Sequence, residues 1–219
     1  MKLSKTDVDK TAIESIAKIL NQHFQVTEQI EGVYTVSTGG VNDANHRVVR
    51  TVSGKQYGMK TKTRGGGQEG EKREAAFSQA CSILKQAEAC RAVCVDKIAG
   101  LPGFDKNPCV VTEWVPDSKR AGEIAAEEKK ELANDNEQVL HQVGKWVGTN
   151  LLLGLADRGA LKNWVWSHKD RRLAAIDTES AFSSATVQDH RSIIDTFYDR
   201  VKLKQERGSS APARAFERG

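Results

Sequence analysis

The 219-residue sequence lacks the features that mark several large classes of protein. No window approaches the run of about 18 apolar residues that a membrane-spanning helix needs. Residues 1–7 contain no apolar signal-peptide core, so no Sec-type export is predicted. The sequence therefore indicates a protein without a membrane span, located in the cytoplasm or exported by a non-Sec route.

Several chemical motifs are also missing. There is no P-loop pattern GxxxxGK[ST] and no GxSxG nucleophile elbow, which argues against P-loop hydrolysis and against α/β-hydrolase chemistry. The cysteines form no paired CxxC motifs, so we interpret them as buried thiols rather than as a zinc site. They are Cys81, Cys90, Cys94 and Cys109.

Strong charge of one sign is absent as well. The formal net charge is only +4, and basic and acidic residues alternate through most of the chain. The one compact basic run is residues 60–64, and Tyr57 is the only aromatic residue close to it. Because nucleic-acid surfaces combine clustered basic residues with stacking platforms, no nucleic-acid partner is predicted.

Apolar periodicity predicts a β-rich N-terminal part and a helical C-terminal part. The N-terminal part begins with an amphipathic helix, residues 7–23, and continues with a β-meander of three strands, residues 33–36, 46–49 and 57–60. The later predicted elements are a helix over 69–89 with an apolar face around Ala76, Phe77, Ala80, Ile83 and Leu84, a strand near 108–112, helices over 121–153 ending at Gly154, a hairpin of 164–166 and 173–176, and a helix over 187–206.

Three oxygen-bearing side chains supply the strongest functional signal. Asp157 and Asn163 share the loop that follows Gly154, and Asp177 ends a short apolar strand. Such residues can orient a hydroxyl and hold Mg²⁺, which prefers hard oxygen ligands. Their spacing predicts a phosphoryl-transfer site.

With the order of the elements, these residues resemble the protein-kinase-like superfamily over residues 30–182. The resemblance implies an α+β, minimal two-lobed protein-kinase-like fold with an antiparallel β-rich N-lobe and a reduced helical C-lobe. It divides the chain into a helical extension (1–30), an N-lobe (31–115), a C-lobe (116–206) and a disordered basic tail (207–219).

The same resemblance assigns nucleotide-binding roles in the N-lobe. Gly39 and Gly40 would let the backbone approach phosphates, and Lys60 would hold the α- and β-phosphates of ATP. Glu74 on the following helix would pair with Lys60. Lys62 is the alternative to Lys60, and Glu71, one helical turn earlier, is the alternative to Glu74.

The remaining implied roles concern adenine, Mg²⁺ and the acceptor. Backbone groups of Glu113 and Val115 would read adenine in a hinge segment. Asp157 would orient the acceptor hydroxyl, while Asn163 and Asp177 would bind Mg²⁺. The cofactors implied are therefore ATP and Mg²⁺.

Local departures from the protein-kinase pattern leave the acceptor open. Gly154–Arg158 looks more like lipid-kinase catalytic loops, and Asp177-Thr178-Glu179 is similar to the Asp-x-Glu of aminoglycoside and choline kinases. The short segment after Asp177 resembles minimal kinases that bacterial pathogens deliver into host cells. We expect an atypical Ser/Thr protein kinase with a protein substrate and an activating partner protein.

Three alternatives remain at this point. The first is a kinase for a small-molecule or lipid hydroxyl, and the second is a non-catalytic pseudokinase that serves as a binding module. The third is an NAD-binding Rossmann protein, because Gly65–Gly70 contains a GxGxxG pattern. The polar strand before that pattern disfavours the third, since a Rossmann first strand is buried and apolar.

Overall fold

The chain is an α+β protein with an antiparallel six-stranded sheet. The computed structural model describes residues 2–37, 46–61, 69–84, 90–115, 118–120, 141–142, 144–145, 148–149, 152–154, 164–176, 178 and 181–182. Two compact units are present: one comprises Met1–Gln79 and Arg91–Trp114, and the other comprises Ala80–Cys90 and Val115–Gly219.

The first unit contains the six-stranded sheet. Its elements in chain order are β1 (Lys2–Thr6), α1 (Lys10–Phe24), β2 (Ile30–Ser37), β3 (His46–Thr51), β4 (Gln56–Lys60), α2 (Glu69–Ile83, whose last residues belong to the second unit), β5 (Ala92–Val95) and β6 (Cys109–Glu113). The strands lie in the order β1-β2-β3-β4-β6-β5, and every neighbouring pair is antiparallel. The predicted meander and the strand near 108–112 are therefore confirmed as β2, β3, β4 and β6.

Helix α1 is defined by its caps and by its apolar stripe. The Asp9 carboxylate accepts a hydrogen bond from the backbone N–H of Ala12 at 2.8 Å, which satisfies one of the unpaired amides at the helix start. Gln25 ends the helix in the left-handed region at φ 59. Ala12, Ile16 and Leu20 recur every four residues, so they share one face, and all three are buried.

That stripe packs against one face of the sheet and forms the core of the first unit. The buried members of this core are Ala12, Ile16, Leu20, Val26, Val33, Val49, Tyr57, Met59, Ile98, Leu101, Phe104, Cys109 and Val111. The rings of Phe24 and Tyr57 meet edge to face, with centroids 5.2 Å apart. The segment 98–104 thus covers the same sheet face as α1.

Two strands of this sheet were not predicted from the sequence. Residues 1–30 were expected to be a helical extension, but Lys2–Thr6 form β1 and pair with β2, while α1 contributes to the sheet's own core. Strand β5 pairs with β6 at the other end of the sheet. Both are short, and their strand conformation depends on partners distant in sequence, which local periodicity does not register.

The second unit contains a three-stranded antiparallel sheet in the order β7-β8-β9. Its strands are β7 (Ser118–Arg120), β8 (Trp164–Ser167) and β9 (Arg172–Ala175). The predicted hairpin is confirmed as β8 and β9, whereas β7, which follows the predicted hinge segment, was not predicted. Val115, Val165 and Ala174 form a small buried cluster here, with Cys90 and Ile176 packed against it.

Some predicted elements fall outside the described residues. Residues 141, 142, 144, 145, 148, 149 and 152 are helical, in agreement with the later part of the helix predicted up to Gly154. Residues 121–140, the helix predicted over 187–206 and the tail 207–219 lie outside. Among the described helices, none is long and apolar enough to cross a bilayer.

Candidate functional site

Lys60 lies at the end of β4, a central strand of the larger sheet. It is opposite His46 of β3 on one side and Val110 of β6 on the other. The next residue, Thr61, donates its hydroxyl hydrogen to the Pro108 carbonyl at 2.8 Å. This bond ties the end of β4 to the start of β6 and limits the movement of the backbone that carries Lys60.

The ion pair predicted between Lys60 and Glu74 is present. The Lys60 ammonium nitrogen Nζ lies 3.5 Å from Glu74 Oε2 on α2. The two side chains are only 21% and 10% exposed, respectively. Because screening by water is reduced at such positions, this pair is a stronger constraint than a pair on the open surface.

The inner face of α2 differs from the predicted apolar face. Its buried residues include Glu71, Glu74, Ser78 and Cys81, which follow helical spacing. Ile83, assigned to the buried face by the sequence pattern, is instead 75% exposed. The prediction was therefore wrong for Ile83 but is confirmed for Phe77, which is 1% exposed, and polar contacts help to orient this helix.

Ser78 makes the second of these contacts. Its hydroxyl oxygen accepts a hydrogen bond from the backbone N–H of Ala92, at the start of β5, with a distance of 2.8 Å. Ser78 is one helical turn after Glu74, so both lie on the same side of α2. The Ser78 hydrogen bond therefore holds this face of α2 against the sheet, and the same face presents Glu74 to Lys60.

Glu71 is also buried, at 4% exposure, and lies close to two thiols. Burial, together with the charges of Cys94 and Glu71, raises the pKa of Cys109 to about 12. Burial and the charge of Glu71 likewise raise the pKa of Cys94. Both cysteines are thiols without a disulfide, as are Cys81 and Cys90.

The predicted hinge segment uses two of its amides within the sheet. The backbone N–H of Glu113 donates to the Arg91 carbonyl at 2.8 Å, and that of Trp114 donates to the Gln56 carbonyl at 3.0 Å. The Glu113 side chain is exposed. Val115 begins the second unit, where its side chain is buried in the cluster described above.

In the second unit, the described residues around the predicted catalytic loop include a helix stop. Leu153 donates its N–H to the Thr149 carbonyl, and Gly154 follows at φ 59, the left-handed conformation that commonly ends helices. The N–H of Phe182 donates to the Leu153 carbonyl at 2.8 Å. Phe182 is therefore held next to Leu153 at the end of this helix.

The hairpin β8–β9 pairs residues that lie close to Asn163 and Asp177 in the sequence. Trp164, which follows Asn163 in the chain, pairs with Ala175, two residues before Asp177. Gln142, a residue that sequence reasoning missed, accepts from the Leu173 N–H at 2.7 Å and donates to the Arg171 carbonyl at 3.4 Å. Gln142 thereby anchors β9. The sequence signal that could have identified Gln142 was a polar residue within an apolar helical pattern.

Several predicted site residues lie outside the described part of the chain. They are Gly39, Gly40, Lys62, Asp157, Asn163 and Asp177. Lys60, Glu71, Glu74, Glu113 and Val115 lie within it.

The chain was also compared with known proteins. No protein-family model matches it, and no curated protein is similar enough in sequence to count as a match. Function must therefore be inferred from these residues and their geometry.

Proposed function

We propose that this chain is an ATP- and Mg²⁺-dependent phosphotransferase with a minimal two-lobed kinase-like fold, acting on a Ser or Thr hydroxyl of a protein. The observation that carries the proposal is the ion pair between Lys60 on β4 and Glu74 on α2. In protein kinases, a lysine on the third strand and a glutamate on the next helix form this pair around the nucleotide phosphates. Here β4 is the third strand of the meander β2–β4, and α2 follows it.

The electrostatics of the pair suit this role. A lysine ammonium is a compact charge with three donors, so it can bind phosphate oxygens while one donor stays with a carboxylate. Glu74 holds the ammonium at the end of a rigid strand, and this lowers the entropy lost when a phosphate binds. Reduced exposure of both side chains strengthens the attraction to the added negative charge.

The residues proposed for chemistry belong to the second unit. Asp157 would orient the acceptor hydroxyl, Asn163 and Asp177 would hold Mg²⁺, and Arg158 or Lys162 would neutralise charge on the transferring group. Bound Mg²⁺ would offset the negative charge of the phosphates. Support comes from the neighbouring residues, because the ends of β8 and β9 adjoin Asn163 and Asp177 in the chain and are themselves paired.

The antiparallel sheet weighs against the NAD-binding alternative. A Rossmann unit requires adjacent parallel strands joined by a crossover helix. Every strand pair in the described residues is antiparallel, including both pairs that β4 makes. The GxGxxG pattern at residues 65–70 therefore lacks the sheet that would give it a dinucleotide-binding role.

The decisive experiment is thermal melting with and without Mg·ATP for the wild type, Lys60→Met and Asp177→Asn. A ligand that binds only the folded state stabilises it by RT ln(1 + [L]/Kd), about 2.7 kcal/mol at a hundredfold excess. We expect the wild type to show this rise and both variants to lose it. Each shift is measured from the variant's own baseline, so changes in basal stability cancel.

Lys55→Met is the matched control. Lys55 also pairs with a glutamate at 3.5 Å, to Glu28, but its side chain is 65% exposed. The control should keep the full ATP shift, since an exposed pair contributes little and lies away from the site. Loss of the shift in Lys55→Met, or its retention in Lys60→Met, would contradict the assignment of Lys60.

Turnover would then identify the acceptor class. Phosphoserine or phosphothreonine in a labelled protein product would support the protein-kinase proposal. Label in a small molecule or lipid would favour the hydroxyl-kinase alternative. Mg·ATP binding without transfer, in the presence of host-cell extract as a source of an activating partner, would favour a pseudokinase binding module.

A further inference from the structure

Strand β4, which carries Lys60, also has a glycine, Gly58, on the same face of the sheet. Side chains alternate along a strand, so Gly58 and Lys60 face the same side of the sheet. They are separated by about 7 Å along β4. Gly58 pairs with Val48 of β3 and with Thr112 of β6, so its neighbours on both sides belong to the centre of the sheet.

The indole ring of Trp114 lies against Gly58. The position that a β-carbon on Gly58 would take is 3.6 Å from Cε3 and 3.7 Å from Cζ3 of the ring, which is van der Waals contact. The Trp114 backbone is fixed by its N–H bond to the Gln56 carbonyl. Trp114 is half-buried, and its contact with Gly58 puts the ring on the face that Lys60 shares.

We propose that Trp114 is a base-stacking residue of the nucleotide site, an inference that rests on the proposed function. If Lys60 holds phosphates, the base of the same nucleotide must lie within a few residues of Lys60 on this face. The Trp114 ring is an aromatic surface that lies over Gly58, two residues from Lys60 on the same face of β4. Nucleobases stack on tryptophan with little dependence on base identity.

A purely structural role makes a different prediction. Aromatic rings often cover strand glycines and stabilise the sheet, and the contact with Gly58 fits that description as well. In that case, shortening Trp114 would lower stability but would change the binding of every phosphate ligand equally. A stacking residue acts only on ligands that possess a base.

The test compares Mg·ATP with Mg·tripolyphosphate, which has phosphates but no base. Isothermal titration calorimetry is carried out on the wild type, Trp114→Leu and Trp114→Phe. We expect Trp114→Leu to weaken ATP binding about tenfold or more and to leave tripolyphosphate binding within about twofold. Trp114→Phe, which keeps an aromatic ring, should retain most of the ATP affinity and verifies the result if Trp114→Leu folds poorly.

The outcomes separate this inference from the proposed function. Equal weakening of both ligands, or unchanged ATP binding in Trp114→Leu, would overturn the stacking role while the phosphate site at Lys60 stands. Failure of the wild type to bind either ligand would overturn the proposed function and the stacking role together. Binding of both ligands with selective loss of ATP would support both.

Discussion

The six-stranded sheet has two faces that are built from different kinds of contact. On one face, α1 and the segment 98–104 cover apolar side chains and form the core. On the other face, α2 is oriented by the Lys60–Glu74 ion pair and by the Ser78 hydrogen bond. The first face resembles an ordinary protein interior, whereas the second keeps buried polar groups that need specific partners.

A single strand supplies both faces. Tyr57 and Met59 of β4 lie in the core, while Gly58 and Lys60 face the opposite side. Because β4 is held between two other strands, the packing of its apolar residues positions the lysine. Changes on the α1 side should therefore alter stability, and changes on the α2 side should alter ligand binding.

The largest expected effect separates two neighbouring residues of β4. Met59 is almost fully buried, so Met59→Ala should lower the free energy of unfolding by about 3 kcal/mol through lost contacts and a cavity. The ATP-induced rise in melting temperature should persist in this variant and disappear in Lys60→Met. Denaturant titration and melting with Mg·ATP measure the two quantities, and loss of the ATP shift in folded Met59→Ala would contradict the separation of the faces.

The next effect tests the close approach of a loop to the start of α1. Gly100 has φ +75, and a β-carbon there would lie 2.6 Å from Asp9 Oδ1 and 2.8 Å from the Ala12 nitrogen. Gly103, at φ +85, has nothing within 4 Å of the same position. Gly100→Ala should cost about 2.5 kcal/mol and Gly103→Ala about 1 kcal/mol, since only the former adds a clash to the backbone strain.

Denaturant titration of the two glycine variants provides the measurement. Equal losses of unfolding free energy would mean that the N-cap does not pack against Gly100 as described.

A pH dependence should arise on the core face from Cys109. Its folded-state pKa is raised to about 12 by burial and by the charges of Cys94 and Glu71, from an ordinary value of 9.0. A raised pKa stabilises the fold below pH 9, and this contribution is lost as the pH rises towards 12. For an unfolded thiol of pKa 9.0, the loss at pH 10 is about 1.4 kcal/mol.

Urea titrations at pH 8 and pH 10 measure this loss. The free energy of unfolding of Cys109→Ala should decrease less between the two pH values than that of the wild type, because the variant lacks the thiol that ionises. The cost of the cavity in the variant is the same at both pH values. An identical decrease in both proteins would assign the alkaline destabilisation to other groups.

Ser78→Ala should affect the α2 side of the sheet more moderately. Removal of the hydroxyl takes away the acceptor of the buried Ala92 N–H, at a cost of about 1 kcal/mol. If this bond also holds Glu74 towards Lys60, Mg·ATP affinity should fall as well. Ser82→Ala, at an exposed position in the last turn of the same helix, is the control, and equal ATP affinity in both variants would limit Ser78 to a structural role.

The smallest effect is a gain of stability at the end of α1. Gln25 adopts φ 59, a conformation that glycine reaches without strain. Gln25→Gly should therefore raise the free energy of unfolding by about 0.5 kcal/mol, with no change in ligand binding. A lower melting temperature would show that the Gln25 side chain contributes more than its backbone costs.

These comparisons also indicate what could be predicted from sequence. Strands β2, β3, β4 and β6 and the hairpin β8–β9 follow from local alternation. The pairing of Lys60 with Glu74 was implied by the resemblance to kinases, which left Glu71 as the alternative partner. The contact of Trp114 with Gly58 was not, because it depends on the register between strands about fifty residues apart.

The predicted orientation of α2 was partly wrong for a related reason. Of the predicted apolar inner face, Phe77 is buried but Ile83 and Leu84 are exposed. The glutamates Glu71 and Glu74 face inward beside Phe77. Local hydrophobicity cannot weigh an ion pair with a distant strand or a hydrogen bond to Ala92. Polar residues that recur at helical spacing on the buried side of a helix indicate such contacts.

The strand order also has a consequence for synthesis on the ribosome. β6 lies between β4 and β5, although it is the last of the three to be made. Until residues 109–113 emerge, β4 has an unpaired edge that can bind other extended chains. The emerging chain is therefore most prone to misassembly while it ends between α2 and β6, and insertion of β6 completes the sheet beside Lys60.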